Sequence, residues 1–263
     1  MRGITENQQS SFLKEQFIPD HVFLYVVKGS ISFFDGNKTY TLKTGGCGIA
    51  RKNSLIKFML PDNEETFNPI IFCFDEEFLQ QFQTKHKIQP TASNMIESFL
   101  EIRKTDWIDN FITSLKPYYK GGMQLDEAVE DLKYEELLII LLKQQPELAG
   151  VLFNYARPEK LNLEAFMNSN YKFNVSIERF AYLTGRSLSA FKRDFKEIFG
   201  CTPNRWLVKK RLNEAHFLIE KKKQKPPEIY LDLGFLDLSH FYYVFKKQFG
   251  YPPSMLQNEK PKK

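Results

Sequence analysis

The carboxyl-terminal third of the chain contains one segment twice, at an offset of 50 residues. The first copy, from Ser189 to Pro203, reads SAFKRDFKEIFGCTP, and the second, from Ser239 to Pro253, reads SHFYYVFKKQFGYPP. Seven positions are identical: one Ser, three Phe, one Lys, one Gly and one Pro. An internal repeat defines the unit that folds, so this pair restricts the possible folds more than any other feature of the sequence.

Each copy has the spacing of an amphipathic helix that ends at a glycine. The apolar stripe of the first copy consists of Leu188, Phe191, Phe195, Ile198 and Phe199. Gly200 suits the left-handed residue that ends a helix, and Pro203 suits the first turn of the next one. A shorter apolar run that ends in glycine precedes each copy, at residues 175–185 and 227–234. The sequence therefore predicts two helix-turn-helix units. The alternative is two ordinary helical hairpins, which would not explain why near-copies carry basic residues on the outer face.

Charge divides the chain near the start of this helical region. Residues 160–263 contain 20 Lys and Arg against 10 Asp and Glu, a balance of +10, whereas residues 1–159 contain 17 against 22, a balance of −5. A basic domain attracts a polyanion, and nucleic acid is the usual one. The alternative is a solvated lysine-rich surface, which the helical repeat makes the weaker explanation.

The region from about residue 20 to 75 has the composition of short β-strands. Segments such as VFLYVVKG, ISFFDGN and TYTLKTGG are rich in β-branched and aromatic residues, and Asp35-Gly36 is a hairpin turn signal. About six or seven strands in this length predict a small antiparallel barrel or double sheet. The aromatic residues either line a ligand cavity or fill the interior; they are Phe23, Tyr25, Phe33, Phe34, Tyr40, Phe58, Phe72 and Phe74.

Residues 76–150 have helical periodicity, with apolar residues three and four positions apart. Helices are predicted in EEFLQQF and over Ser93–Arg103, Trp107–Tyr119 and Asp126–Gln145. The last helix has more apolar residues than one buried stripe requires, so we expect it to pack on a second surface. That surface is either a second subunit or the core of the same domain. We predict Leu132, Leu137 and Leu141 as dimerisation residues.

The helical pattern breaks at Pro146 and again around Pro158, as at a domain joint. We therefore predict a first domain at residues 1–155, with strands at about 20–75 and helices at about 76–150. A DNA-binding domain follows at residues 160–257, with a disordered tail at 258–263. The fold class is α+β: a small antiparallel β-barrel plus helices, then an all-α domain of two helix-turn-helix units joined by a long helix.

The outer face of each second helix carries the residues that we predict contact DNA. Such a helix fits the major groove and reads base edges from its amino-terminal part. The predicted contacts are Ser187, Ser189, Lys192, Arg193 and Lys196 in the first helix-turn-helix and Ser239, His240, Tyr242, Tyr243 and Lys246 in the second. Lys209, Lys210 and Arg211 of the linking helix are predicted to bind phosphates. Because Lys and Arg predominate in the first set and Tyr and His in the second, we expect the first to bind more strongly.

The last hundred residues resemble the DNA-binding domain of the AraC/XylS family of bacterial transcription regulators. The matching residues are Ala181, Gly185, Ser187, Phe191, Arg193, Phe195, Lys196, Gly200 and Pro203, then Ile229, Gly234, Phe235, Asp237, Ser239, Phe241, Phe245, Lys246, Phe249, Gly250 and Pro253. Two positions depart from the family pattern: Tyr230 stands where the family prefers alanine, and Tyr243 where it prefers arginine. The resemblance implies that residues 1–155 form a cupin-like regulatory and dimerisation domain, which senses a small molecule or a partner protein or only forms the homodimer. It also implies double-stranded DNA as the target and RNA polymerase as a partner in activation.

No residue pattern in the sequence points to an enzyme, a cofactor or a metal. Of the four histidines only His21 lies in the strand region, and no H-x-H pair, P-loop, dinucleotide-binding glycine pattern or G-x-S-x-G occurs. We therefore expect a non-enzyme without a cofactor. Dispersed cysteines, no signal peptide and no membrane span predict a cytoplasmic protein with reduced thiols. Two alternatives stay open: a regulator whose first domain binds only another protein, and a non-specific nucleic-acid-binding protein.

Overall fold

The computed structural model of the chain describes residues 16–59, 67–89, 97–118, 125 and 127–257. The chain divides into two compact units, an N-terminal unit (Met1–Arg157) and a C-terminal unit (Pro158–Lys263). The described part of the N-terminal unit contains antiparallel sheets and helices, and the described part of the C-terminal unit is helical. The fold is therefore α+β. The predicted tail at residues 258–263 lies outside the described residues. Within the described residues, no helix is both long and apolar enough to cross a membrane.

The described part of the N-terminal unit contains nine short strands and four helices. The strands are β1 (Phe17–Ile18), β2 (His21–Lys28), β3 (Ser30–Phe34), β4 (Thr39–Lys43), β5 (Cys47–Ala50), β6 (Ser54–Leu55), β7 (Lys57–Met59), β8 (Asn68–Phe74) and β9 (Phe99–Ile102). The helices are α1 (Glu76–His86), α2 (Asp106–Leu115), α3 (Glu127–Gln144) and α4 (Ala149–Leu152). Two 3₁₀ turns follow α2 and α3, at Lys116–Tyr118 and Pro146–Leu148.

Two antiparallel sheets form the layers of the N-terminal unit. One has the strand order β8-β2-β5-β9 and the other β4-β3-β7, while β1 pairs separately with β6. Side chains alternate along β2, so Val22, Leu24 and Val26 enter an apolar cluster with Ile31 and Phe33 of the three-stranded sheet. The space between the two sheets is therefore one of two cores in the described part of this unit.

The other core lies between the opposite face of the four-stranded sheet and the helices. Phe72 of β8 contacts Tyr134 of α3, with ring centroids 4.8 Å apart. Leu137 and Leu141 of α3 are fully buried in this core, whereas Leu132 is 64 % exposed. The prediction that Leu137 and Leu141 take part in dimerisation is therefore wrong, because their side chains lie inside the unit's own core. Most of the surplus apolar residues in α3 are therefore explained by burial of this helix in the core of its own unit.

One predicted helix is a strand where the structure describes it. The sequence predicts a helix over Ser93–Arg103, but Phe99–Ile102 forms β9 and pairs with β5 at the edge of the four-stranded sheet. As a strand it fills both cores, because Phe99 faces the space between the sheets and Leu100 faces the helices. Gly48 of β5 makes room for this arrangement, since a Cβ there would lie 2.3 Å from the Phe99 ring. Residues 93–96 of the predicted helix lie outside the described residues.

The predicted hairpin at Asp35 joins β3 and β4. Asp35 Oδ1 accepts hydrogen bonds from the backbone N–H groups of Asn37 and Lys38 at 2.9 Å each, and its Oδ2 accepts one from the Tyr40 hydroxyl at 3.0 Å. A carboxylate that bonds its own backbone two and three residues ahead closes a tight turn. The side chain of Asp35 therefore fixes the register of these two strands.

Aromatic rings fill the space around Phe33 between the two sheets. The Phe33 ring centroid lies 5.0 Å from that of Tyr40, 5.8 Å from that of Phe58 and 4.3 Å from that of Phe99. The aromatic residues of β8 face the helices instead. Of the two interpretations of the aromatic residues, these contacts favour a filled interior over a ligand cavity around Phe33.

His21, at the start of β2, is buried without full hydrogen bonding. Its Nδ1 accepts a hydrogen bond from the backbone N–H of Lys52 at 3.3 Å, whereas Nε2 has no partner among the described residues. Burial, with the positive charges of Lys52 and Arg51, lowers the pKa of His21 to about 3. The imidazole therefore stays neutral in the folded unit at pH values where the unfolded chain would protonate it.

We predict that the N-terminal unit loses stability as the pH falls below about 6.5, the pKa of an unperturbed histidine. The unfolded chain then binds a proton that folded His21 does not bind, so the free energy of unfolding falls by about 1.4 kcal/mol per pH unit. Urea unfolding followed by Trp107 fluorescence in a Trp206→Phe background measures this slope. His21→Gln should remove this contribution, and His240→Gln in the C-terminal unit is the matched control. Equal slopes for the parent protein and His21→Gln would contradict the prediction.

Candidate nucleic-acid interface

The C-terminal unit contains two copies of one arrangement, joined by a long helix. Its helices are α5 (Leu163–Asn170), α6 (Ile177–Leu183), α7 (Leu188–Phe199), α8 (Pro203–Lys222), α9 (Pro226–Ile229), α10 (Leu238–Phe249) and α11 (Ser254–Gln257). Helices α6 and α7 form the first helix-turn-helix around Gly185, and α9 and α10 form the second around Gly234. Helix α8 connects them. The predicted tandem of helix-turn-helix units with a long linking helix is confirmed.

Side-chain caps fix where α7 and α10 begin. The Ser187 Oγ accepts a hydrogen bond from the backbone N–H of Ala190 at 3.3 Å, and the Asp237 Oδ1 accepts one from the backbone N–H of His240 at 2.6 Å. Each helix ends at a glycine in the left-handed region, as the sequence predicts. The two helices are therefore matched in length, at 12 residues each.

Two phenylalanines in each of these helices face the interior. Phe191 and Phe195 of α7, and Phe241 and Phe245 of α10, are fully buried. Trp206 of α8 closes the first core, with its ring centroid 5.7 Å from that of Phe195. Because these rings fix the rotation of each helix, they also determine which residues point to solvent.

Ile198 does not belong to the buried stripe of α7, contrary to the prediction. It is exposed, whereas Phe199 beside it is half-buried. The Trp206 ring lies 4.7 Å from the Phe199 ring and covers this end of the helix in place of Ile198. The buried stripe is therefore narrower at the end of α7 than the spacing of apolar residues predicts.

The outer face of α7 presents every residue predicted for it. Ser187, Ser189, Lys192, Arg193 and Lys196 are all exposed.

Arg193 is held on this face by a surface ion pair. Its side chain is 75 % exposed, and its Nη2 and Nε donate to Asp194 Oδ1 at 3.0 and 3.3 Å. Asp194 also accepts a hydrogen bond from Arg186 at 3.1 Å, and Arg186 and then Arg193 hold the pKa of this carboxyl below its usual range. Exposed ion pairs contribute little to stability, so Arg193 can exchange Asp194 for another anion at small cost.

The outer face of α10 is less charged. Ser239, His240, Tyr243 and Lys246 are exposed, as predicted. Tyr242 is only half-exposed, because its ring meets the ring of buried Phe241 edge-on with centroids 5.9 Å apart. Part of the Tyr242 ring therefore packs against the core, and the remainder stays on the outer face as a candidate for DNA contact.

Two further exposed residues lie next to these without having been predicted. The Lys247 Nζ lies 6.0 Å from the centroid of the Tyr243 ring. Leu236, which immediately precedes the capping residue Asp237, is 76 % exposed. The run of lysines at the end of α10 is a signal for Lys247. No sequence signal distinguishes Leu236 from a core leucine, because its neighbours Phe235 and Leu238 are apolar too.

Arg211 is not exposed to a phosphate backbone, contrary to the prediction. Arg211 is 8 % exposed. Its guanidinium donates hydrogen bonds to three backbone carbonyls. Nε bonds Tyr171 O at 2.7 Å, Nη1 bonds Gly234 O at 2.9 Å and Nη2 bonds Phe173 O at 2.7 Å. The prediction is wrong because a basic residue in the middle of an apparently basic stretch points inward here.

The two lysines before Arg211 remain on the surface. Lys209 is exposed, and Lys210 is half-buried. The Lys210 Nζ donates to Asn168 Oδ1 at 3.0 Å and lies 5.6 and 5.8 Å from the ring centroids of Tyr171 and Trp206. Both lysines therefore stay candidates for phosphate contacts.

Among the described residues, no group of three or more His, Cys, Asp or Glu is placed to hold a metal ion. Cys47, Cys73 and Cys201 are free. Burial raises the pKa of Cys47 and of Cys73 to about 12, so both are neutral thiols that act as small packing residues.

Two capped helices of the same construction, each with an exposed polar face on a basic unit, define the class of tandem helix-turn-helix DNA-binding proteins. Residues 21–151 match the family described as ExsA N-terminal regulatory domain, and residues 180–259 match the family described as helix-turn-helix domain.

The chain is similar over most of its length to known transcription regulators. It is 32 % identical over 250 residues to the virulence regulon transcriptional activator VirF of Yersinia enterocolitica, which covers 88 % of this chain and 87 % of that protein. It is 23 % identical over 232 residues to the HTH-type transcriptional regulator ExsA of Pseudomonas aeruginosa, covering 87 % and 83 %. The chain therefore belongs to the AraC family of transcription regulators. The structure also resembles a crystal structure of an apo ToxT variant from Vibrio cholerae, with 17 % sequence identity and a TM-score of 0.43. The superposed region covers 93 % of this chain and 90 % of the ToxT chain.

Proposed function

We propose that one protomer of this transcription regulator places α7 and α10 in two adjacent major grooves on one face of double-stranded DNA. The observation that carries the proposal is the pairing of two exposed, 12-residue helices through the 20-residue helix α8. At about 1.5 Å per residue, α8 is about 30 Å long. That length is close to the helical repeat of DNA, about 34 Å, which separates two grooves on the same face.

The first helix-turn-helix is the stronger reader in this proposal. Arg193 and Lys192 donate to guanine acceptors or to phosphates. The Ser187 hydroxyl accepts a bond as a helix cap and still has its own proton to donate, and Ser189 and Lys196 are exposed beside it. The support is the exposure of Arg193, whose present partner, Asp194, keeps Arg186 as a second partner if Arg193 leaves it.

The second helix-turn-helix offers neutral and apolar groups for base contacts. His240, Tyr243 and Leu236 are exposed at or near the start of α10, and Lys246 and Lys247 follow further along. Apolar contact with the methyl group of thymine is one of the main ways in which proteins read A·T pairs. We infer that the second DNA subsite is richer in A·T pairs than the first and is bound less tightly.

We predict unequal losses when the two helices are changed. On a site selected from random duplexes, Arg193→Ala should lose about 1–3 kcal/mol of binding free energy, because a base contact is removed. Tyr243→Ala should lose less, and neither variant should lose as much on scrambled DNA. A salt-titrated binding assay with the full chain measures this.

Arg157→Ala, an exposed arginine of the N-terminal unit, is the matched control for the lost charge. If Arg193→Ala weakened binding to selected and scrambled DNA alike, the tandem would hold phosphates alone. The alternative of a non-specific nucleic-acid-binding protein would then replace the proposal.

We propose that the protein forms a homodimer through an exposed apolar surface of the N-terminal unit. This surface, the α3 patch, consists of exposed Trp107 and Leu132 and half-buried Ile139, and Ile140 is buried beneath them. Leu132 and Trp107 are among the exposed large apolar residues of the unit, and Glu135 and Glu136 border them. A two-fold axis through such a patch would cover the same side chains on both protomers.

We predict that Leu132→Asp weakens the dimer at least ~10-fold, because a charge then enters a surface that must lose water. Sedimentation velocity over a concentration series measures the change. Leu132 is exposed, so the variant should unfold at nearly the parent temperature. Leu161→Asp, an exposed leucine of the C-terminal unit, is the control. A Leu132→Asp protein that dimerises as tightly as the parent would exclude this surface.

We infer that the N-terminal unit regulates the DNA-binding unit in response to an effector. The ring contacts around Phe33 favour a partner protein over a small molecule held between the sheets. RNA polymerase is the partner that activation requires, and a cytoplasmic location follows from this role. The named relatives are transcription regulators, which supports a protein that is not an enzyme.

A further inference from the structure

Helix α8 belongs to the cores of both helix-turn-helix units, and Arg211 lies at its midpoint. Five residues before Arg211, the Trp206 ring packs against Phe195 of α7. Five residues after it, the His216 ring stacks on Phe245 of α10, with centroids 6.2 Å apart. Arg211 therefore lies on α8 between the part of the helix that packs in the first core and the part that packs in the second.

The guanidinium of Arg211 bonds to both units at once. Tyr171 O and Phe173 O, which accept at 2.7 Å each, lie in the loop between α5 and α6, on the side of the first helix-turn-helix. Gly234 O, which accepts at 2.9 Å, lies in the turn of the second. A planar guanidinium presents its N–H groups in fixed directions, so three carbonyls that satisfy it together must keep one arrangement.

Gly234 brings the second turn into direct contact with this cluster. Its φ is +85°, a conformation that favours glycine. A Cβ at this position would lie 2.6 Å from the carbonyl oxygen of Lys172 and 2.8 Å from Arg211 Cζ. The turn of the second helix-turn-helix is thus packed against the loop of the first, with the guanidinium between them.

The cluster resists loosening because a buried charge needs all of its partners. Burial lowers the pKa of Arg211 to about 10, so the group stays charged at neutral pH. Three carbonyl oxygens replace the water that the guanidinium has lost, and removing them would leave a buried charge unsatisfied. A lysine has a single nitrogen in place of the fork and cannot reproduce these three bonds.

We propose that Arg211 is a positioning residue that fixes the spacing and rotation of α10 relative to α7, and with them the spacing between the two DNA subsites that one protomer accepts. The inference rests on the proposed binding of α7 and α10 in adjacent grooves. A rigid connection gives the second helix a high effective concentration at one subsite spacing and a low one elsewhere. A loose connection lowers the effective concentration of the second helix at the preferred spacing. It also makes that concentration depend less on the spacing between the subsites.

The test is a spacing series on DNA with the full chain. A two-part site is first selected from random duplexes with the parent protein, and then five base pairs are inserted between its parts. The parent should lose about 100-fold in affinity on insertion, because the second helix no longer reaches its subsite. Arg211→Lys and Gly234→Ala should bind the uninterrupted site more weakly and lose less than about tenfold on insertion. Their affinity for the first part alone should equal that of the parent.

Gly250→Ala is the matched control for Gly234→Ala. Gly250 has almost the same φ, +84°, but a Cβ there would meet nothing within 4 Å. It should behave as the parent in the spacing series. If folded Arg211→Lys and Gly234→Ala kept the full spacing penalty, the inference would be overturned while the proposed function stood. Global unfolding of both variants, seen as loss of helical circular dichroism, would overturn it too, because Arg211 would then be a general structural residue. If the parent selected no two-part site, the proposed function itself would fail.

Discussion

The burial of two phenylalanines in each of the helices α7 and α10 is the constraint on which the C-terminal unit depends. Phe191 with Phe195, and Phe241 with Phe245, fix the rotation of α7 and α10 about their own axes. Once the rotation is fixed, the residues that remain outside follow from the 3.6-residue period. The set of side chains available for the proposed DNA contacts is therefore a consequence of core packing, and only the types of the outer residues are free to vary.

Fixing each helix is not sufficient for a two-part reader, because the two helices must also be fixed relative to one another. Helix α8 supplies the distance, and rings on either side of its midpoint, Trp206 and His216, pack in the two cores. We infer that the Arg211 cluster supplies the rotation. With helix α8 and the Arg211 cluster in place, α7 and α10 are ordered relative to each other before DNA binds. Binding then costs little additional conformational entropy.

The repeat made the C-terminal unit largely predictable. Phenylalanines at helical spacing, with a capping residue before them and glycine after them, specify where each helix begins, where it ends and which face is buried. Arg211 was not predictable, because its environment is built by Tyr171, Phe173 and Gly234, which are distant in sequence. A basic residue beside exposed lysines resembles a surface residue until those carbonyls are placed around it.

The N-terminal unit was less predictable for a related reason. Phe99–Ile102 is short and almost entirely apolar, so its spacing fits a helix or a strand, and only the free edge of β5 decides. Likewise, Leu137 and Leu141 resemble Leu132 in sequence. What separates them is which side of α3 faces the sheet, and that depends on strands about 60 residues earlier in the chain.

We propose that a single protomer reads two subsites on one face of DNA through α7 and α10, and hydroxyl-radical footprinting of the full chain on a selected site tests this. We expect two protected backbone segments per protomer, centred about ten base pairs apart on the same face. One protected segment per protomer, or weak protection that does not depend on sequence, would contradict it.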